Sequence, residues 1–189
     1  MLRTISLTVL LLAAAGPTLA HPGHDGSGFL HPFSGIDHML VMLGVGLWAS
    51  LLAARKPAAS FLVPGSFVAM MAVGAAAGFA GIKLPLVEAA ILASVFVIGG
   101  LIMSAVRLPA ASAMAVVGLF ALFHGYAHAL EAPATGAATY ILGFLTATAL
   151  LQGVGLGLGW VVRRSGGDLG LRALGGMMMA GGALVLITN

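Results

Sequence analysis

Six long apolar stretches, at residues 36–54, 61–80, 84–106, 109–130, 137–162 and 169–188, fill nearly all of this chain beyond its first thirty-five residues. An α-helix rises 1.5 Å per residue and needs about 20 apolar residues to cross the hydrocarbon of a bilayer, so each stretch reads as a spanning helix. The connections are short: Arg55-Lys56-Pro57, Gly81-Ile82-Lys83, Arg107-Leu108, residues 131–136 and residues 163–168. Such loops force antiparallel neighbours and leave no room for a separate soluble domain. Only 7% of the residues are charged and 60% are hydrophobic. A soluble domain carries about 25% charged residues, so the solvent for this surface is lipid. The fold expected is an all-α membrane protein of six transmembrane helices.

The formal net charge of +3 does not point to nucleic acid, because the bases are dispersed between apolar runs as topology signals are. Residues 1–20 read as a cleaved secretory signal, with Arg3 in the positive region, a short apolar run, and small residues at Thr18 and Ala20. Residues 21–35 form a His-rich leader and residues 36–189 the membrane domain. Loops one, three and five hold Arg55, Lys56, Arg107, Arg163 and Arg164, with Arg172 on the same side, against Lys83 alone on the other. The positive-inside rule makes those loops cytoplasmic and puts both ends of the mature chain in the periplasm of a bacterial inner membrane.

That topology brings all six histidines to one face. His21, His24, His31 and His38 precede or enter the first span, and His124 and His128 end the fourth, which runs outward. Carboxylates accompany them: Asp25 and Asp37, then Glu131; Glu88 opens the third span at the same face. Imidazole and carboxylate without any cysteine suit a borderline divalent ion such as Ni²⁺, Co²⁺ or Zn²⁺. Ionisable groups at membrane depth are costly and mark function.

His124, His128 and Glu131 stand at i, i+4 and i+7, which at about 100° per residue places them on one stripe of one helix. Gly125 stands where a zinc protease of the His-Glu-x-x-His type has its general base, which counts against peptidase chemistry. In the first cluster Pro32 and Gly35 break the helix, so that His31 folds back toward Asp37 and His38. Ser34 with Asp37 also resembles a capping box, an alternative structural role for the acid. Met42, one turn beyond His38, reads as packing or a soft ligand. Gln152 and Met177-Met178-Met179 lie near mid-membrane, where an amide is usually interhelical glue and methionine a gap filler; a second station for a cation is the other reading. The Gly74/Gly78, Gly153/Gly157 and Gly155/Gly159 pairs read as close-packing faces.

His31-Pro32-x-x-Gly35-x-Asp37-His38 and Phe123-His124-Gly125-Tyr126-Ala127-His128-Ala129-Leu130-Glu131 together resemble the HupE/UreJ family of nickel and cobalt permeases. Ala129 departs from the glycine usual there. The resemblance covers the whole chain, and it implies import of Ni²⁺ or Co²⁺ from the periplasm for maturation of a hydrogenase or urease. The metal would be transported substrate, with no cofactor held permanently and no enzymatic activity. Its implied ligands are His31, Asp37, His38, His124, His128 and Glu131, with Glu88 and Phe67 at positions similar to ones the family uses. Two rivals use the same side chains: an intramembrane metalloenzyme holding its ion permanently, and a metal sensor signalling to a partner. Oligomeric state and the choice between Ni²⁺ and Co²⁺ do not follow from the sequence.

Overall fold

The computed structural model describes residues 28–188. The expected signal segment and the expected leader residues His21, His24 and Asp25 lie outside the described residues. Everything described is helix and short connection. A single 3-10 turn, His31–Phe33, with Pro32 in its first positions, leads through extended Gly35 into α1, Ile36–Ala53. There follow α2, Ala59–Phe79, α3, Val87–Met103, and α4, Ala110–Glu131. The last element, α5, runs Ala137–Thr188 but contains one non-helical residue, Gly167 (φ 60°, ψ −155°), which separates an arm of residues 137–166 from an arm of residues 168–188. Among the described residues, α1, α2, α4 and α5 are long and apolar enough to cross a membrane, and α3 is a shorter apolar helix.

The boundaries follow from proline and glycine. Pro85 disfavours helix at Leu84, so α3 begins later than the apolar stretch alone predicts, after Leu86 in left-handed conformation (φ 58°). Ala105 (φ 51°) ends the same helix early. Extended Pro109 precedes α4, and Ala132 is extended ahead of Pro133, where α4 stops. The expected fifth loop, residues 163–168, is instead helical up to the break at Gly167. That left-handed φ is one glycine adopts without steric cost.

The core sits around α1, whose residues from Val41 to Leu52 are buried save Leu43. α1 lies against the first arm of α5, and α2 against α4. Glycine sets both distances: a Cβ on Gly155 would strike the Leu43 carbonyl, one on Gly46 the Gln152 carbonyl, and one on Gly74 the Leu122 carbonyl. The second arm of α5 packs on α3, where Gly175 meets the backbone of Gly99 and Met103. Gly153 and Gly157 have open space where a Cβ would be, so that expected packing face is not one, whereas Gly155/Gly159 is. Met178 and Met179 fill the gaps beside Gly44 and Gly99, the packing role of methionine.

One end of the bundle is basic. Arg107 pairs with Asp168, Arg163 donates to the Ser50 carbonyl at 2.8 Å, and Arg172 donates to the Met103 carbonyl at 2.9 Å. The hydrogen bond from Arg107 holds the Asp168 carboxyl below the usual carboxylate range. The described histidines, His31, His38, His124 and His128, occupy the opposite end.

Candidate metal site

The i, i+4 spacing on α4 puts His124 and His128 on its inward face, and both are fully buried. His38, in the first turn of α1, stands between them, with ring centroids 5.0 Å from each. The 3-10 turn carries His31 back over the same place, 4.9 Å from His128 ring to ring. The four imidazoles therefore form a row, His31, His128, His38, His124, that runs from the rim into the core. Carboxylates stand beside it at two points. Glu131 at the end of α4 takes His31 Nε2 at 2.6 Å and lies 3.9 Å from His128 Nδ1. Asp37 Oδ1 accepts from the His38 backbone N–H at 2.8 Å and contacts His38 Nδ1 at 2.9 Å.

Aromatic rings wall the row. Phe144 stacks on His128 at 4.6 Å, Tyr140 lies 5.6 Å from His31, and Phe67 lies 5.6 Å from His124. His124 Nδ1 contacts the Phe120 carbonyl at 2.9 Å, which makes Nδ1 the protonated nitrogen and turns the lone pair of Nε2 inward. That Nε2, His38 Nε2 and both nitrogens of His128 are buried and have no hydrogen-bond partner among the described residues. A buried polar group without a partner costs about 1–3 kcal/mol. Their neighbours in the row are other imidazoles and the aromatic rings that wall it. The atoms of His31, His128 and Glu131 all lie within 4.8 Å of one another, close enough for one cation.

The structure thus brings together the six residues expected as ligands, His31, Asp37, His38, His124, His128 and Glu131, with Phe67 beside His124. Glu88 stands exposed in the first turn of α3 and forms no ion pair with Lys83 or any other described residue. The capping box is not formed: Gly35 is the N-cap of α1 without a side-chain cap bond, and the Ser34 hydroxyl donates to the His31 carbonyl. His31 does fold back, but onto Glu131 and His128 rather than Asp37. That pairing joins residues a hundred positions apart, and nothing in local spacing signals it. The parts played by Tyr140 and Phe144 were also missed. Their four-residue separation on α5 was the available sign.

Gly125, between the two histidines of α4, has a steric reason: a Cβ there would strike the Met71 carbonyl of α2. Ala129 is accommodated by Gly78, whose own Cβ would fall 2.7 Å from the Ala129 methyl.

Fold and site together describe an all-helical bundle with membrane-length apolar helices and a row of imidazoles, flanked by two carboxylates, that runs from its rim into its core. Residues 9–185 match the family described as HupE / UreJ protein. The chain is 41% identical to Protein HupE of Rhizobium leguminosarum bv. viciae over 189 residues, covering 96% of this chain and 97% of that one. The chain belongs to the HupE/UreJ family. No solved structure matches it.

Proposed function

We propose that this protein is a six-span inner-membrane permease that imports Ni²⁺ or Co²⁺ through the imidazole row and supplies a metalloenzyme such as a hydrogenase or urease. The supporting observation is the row itself: four imidazoles in series, three of them with buried nitrogens that have no hydrogen-bond partner among the described residues, leading from an exposed carboxylate at the rim to a fully buried ring. Imidazole suits borderline metals, and neutral buried rings favour them over hard ions that want oxygen. Glu131 and Asp37 offset the positive charge of the incoming ion, and Glu88 adds a further acid at the same end of the bundle. Phe67 closes the inner end of the row against His124. Reading α5 as two spans, broken at Gly167, makes six spans and puts the Arg107/Arg163/Asp168 end in the cytoplasm with both termini outside. The membrane potential contributes about 4.6 kcal/mol per divalent ion per 100 mV to inward movement.

A metalloenzyme would close its ligands around one point and leave an open position beside a substrate cavity. A row running inward fits passage better. Uptake of radiolabelled Ni²⁺ and Co²⁺ by a host stripped of its own permeases tests the proposal. Saturable accumulation that depends on this protein is expected. Tightly bound stoichiometric metal in the purified protein, without accumulation in cells, would overturn it.

A further inference from the structure

Beyond the row, the core holds a second polar group of a different chemistry. Met42 follows His38 by one turn of α1, and Thr148 follows Phe144, the ring stacked on His128, by one turn of α5. The Thr148 hydroxyl lies 3.4 Å from the Met42 sulfur and 3.6 Å from the Met71 sulfur of α2. All three side chains are fully buried. This is an unusual use of a helix hydroxyl. Those of Ser50, Ser66, Ser94 and Thr146 bond back to carbonyls three or four residues earlier, the ordinary way to satisfy such a group in a helix. Thr148 turns to two thioethers, which are weak acceptors. A hydroxyl carries one proton, so it serves one sulfur at a time and its oxygen lone pairs stay unused. One turn further along α5, Gln152 is 1% exposed, and neither end of its amide has a partner among the described residues. An amide acting as interhelical glue would be hydrogen-bonded.

We propose that Met42, Met71 and Thr148 form a second coordination station for the transported cation, one turn inward of His38 and His128, with Gln152 as the next polar step. This deepens the permease reading and rests on it. Two thioethers and one neutral hydroxyl offer no charge, so they hold a divalent ion loosely. Loose holding is what an inner station needs, since an ion must leave each site as readily as it enters. Thioether donors also favour soft and borderline metals over Mg²⁺, Ca²⁺ or Mn²⁺, which prefer carboxylate, carbonyl and water oxygen. The station therefore adds a second discrimination against hard ions, after the first at the histidines.

Initial rates of radiolabelled Ni²⁺ uptake across a metal titration test this, with the parent, the Met42→Leu/Met71→Leu double variant, Gln152→Leu and Met179→Leu. Leucine conserves methionine's volume, so packing changes little. The double variant and Gln152→Leu should lose about tenfold or more in maximal rate, the usual scale for groups that tune a metal site, with half-saturation close to the parent's because the outer row is intact. Met179→Leu, a gap filler elsewhere, should behave as the parent. Unchanged maximal rates in the double variant, or an equal loss in Met179→Leu, would overturn the station. Should the double variant not reach the membrane, selenomethionine-substituted parent protein with excess Ni²⁺ decides by X-ray absorption at the nickel edge. Nickel–selenium scattering is expected, and its absence would overturn the station. A parent that neither binds nor accumulates Ni²⁺ would instead overturn the permease reading itself, while metal bound at the row with unaltered passage in the variants would refute only the inner station.

Discussion

His31 and Glu131 show what single residues contribute here. Their contact at 2.6 Å joins the leader to the end of α4, and His128 lies within reach of both. Groups that ligate one ion act as a unit, and their removal is not additive. We expect His31→Gln and Glu131→Gln each to raise the half-saturating Ni²⁺ concentration by about tenfold or more, and the double variant by little beyond the larger single effect. A double effect equal to the product of the two singles, measured by equilibrium binding to purified protein, would mean that they do not share an ion. At this scale the sequence was informative about donors and silent about pairing. Residue type, depth and helical phase bring His38, His124 and His128 to one end of the bundle, where the structure has their rings adjacent. The His31–Glu131 contact depends on a 3-10 turn whose direction local spacing does not encode. Glu88 was placed at the correct end of the bundle, yet its helix starts so that it faces outward.

At the scale of elements, glycine decides how closely helices approach, and the pair Gly78 and Ala129 sets the spacing of α2 and α4 at the outer end. Gly78→Ala should push α2 off α4, costing about 1–3 kcal/mol as an overpacked contact does. Adding Ala129→Gly should recover most of that loss by removing the opposing methyl, less roughly 1 kcal/mol for glycine in a helix. Thermal denaturation in detergent reads both, and a double variant no better than Gly78→Ala would show that the contact is not limiting. The break in α5 gives a second element-scale prediction. Asp168, just past Gly167, pairs with Arg107 and has a lowered pKa. A carboxyl whose folded-state pKa is depressed contributes stability above its unfolded value, near 3.8, and loses it as pH falls through the folded value. Parent protein should therefore exceed Asp168→Asn in stability at neutral pH by up to about 1 kcal/mol, the range for an exposed pair. The gap should close in strong acid, and a gap that persists there would mean that the pair is not its source. Helix existence was legible from apolar length. The ends of α3 were not, because Pro85 and the left-handed Leu86 and Ala105 shorten it, and neither was the continuity of helix through residues 163–166.

For the whole molecule, the separation of its two ends carries the argument. Among the described residues, arginines and Asp168 gather at one end and imidazoles at the other, the division that base counting across the loops predicts. A reporter fused after Asn189 should be active in the periplasm if six spans follow an exported start; a cytoplasmic reporter would remove one span and with it the shared outer site. The central claim is that the imidazole row is the route of the ion. It is tested most directly by initial Ni²⁺ uptake at submicromolar metal in cells carrying His128→Ala, with membrane levels of the variant matched to the parent. His128 lies within the row, between His31 and His38, and its removal leaves the remaining ligands unable to offset the ion's dehydration. Uptake reduced to the level of cells lacking the protein is expected. Uptake at the parent's rate, from protein at normal abundance, would contradict it.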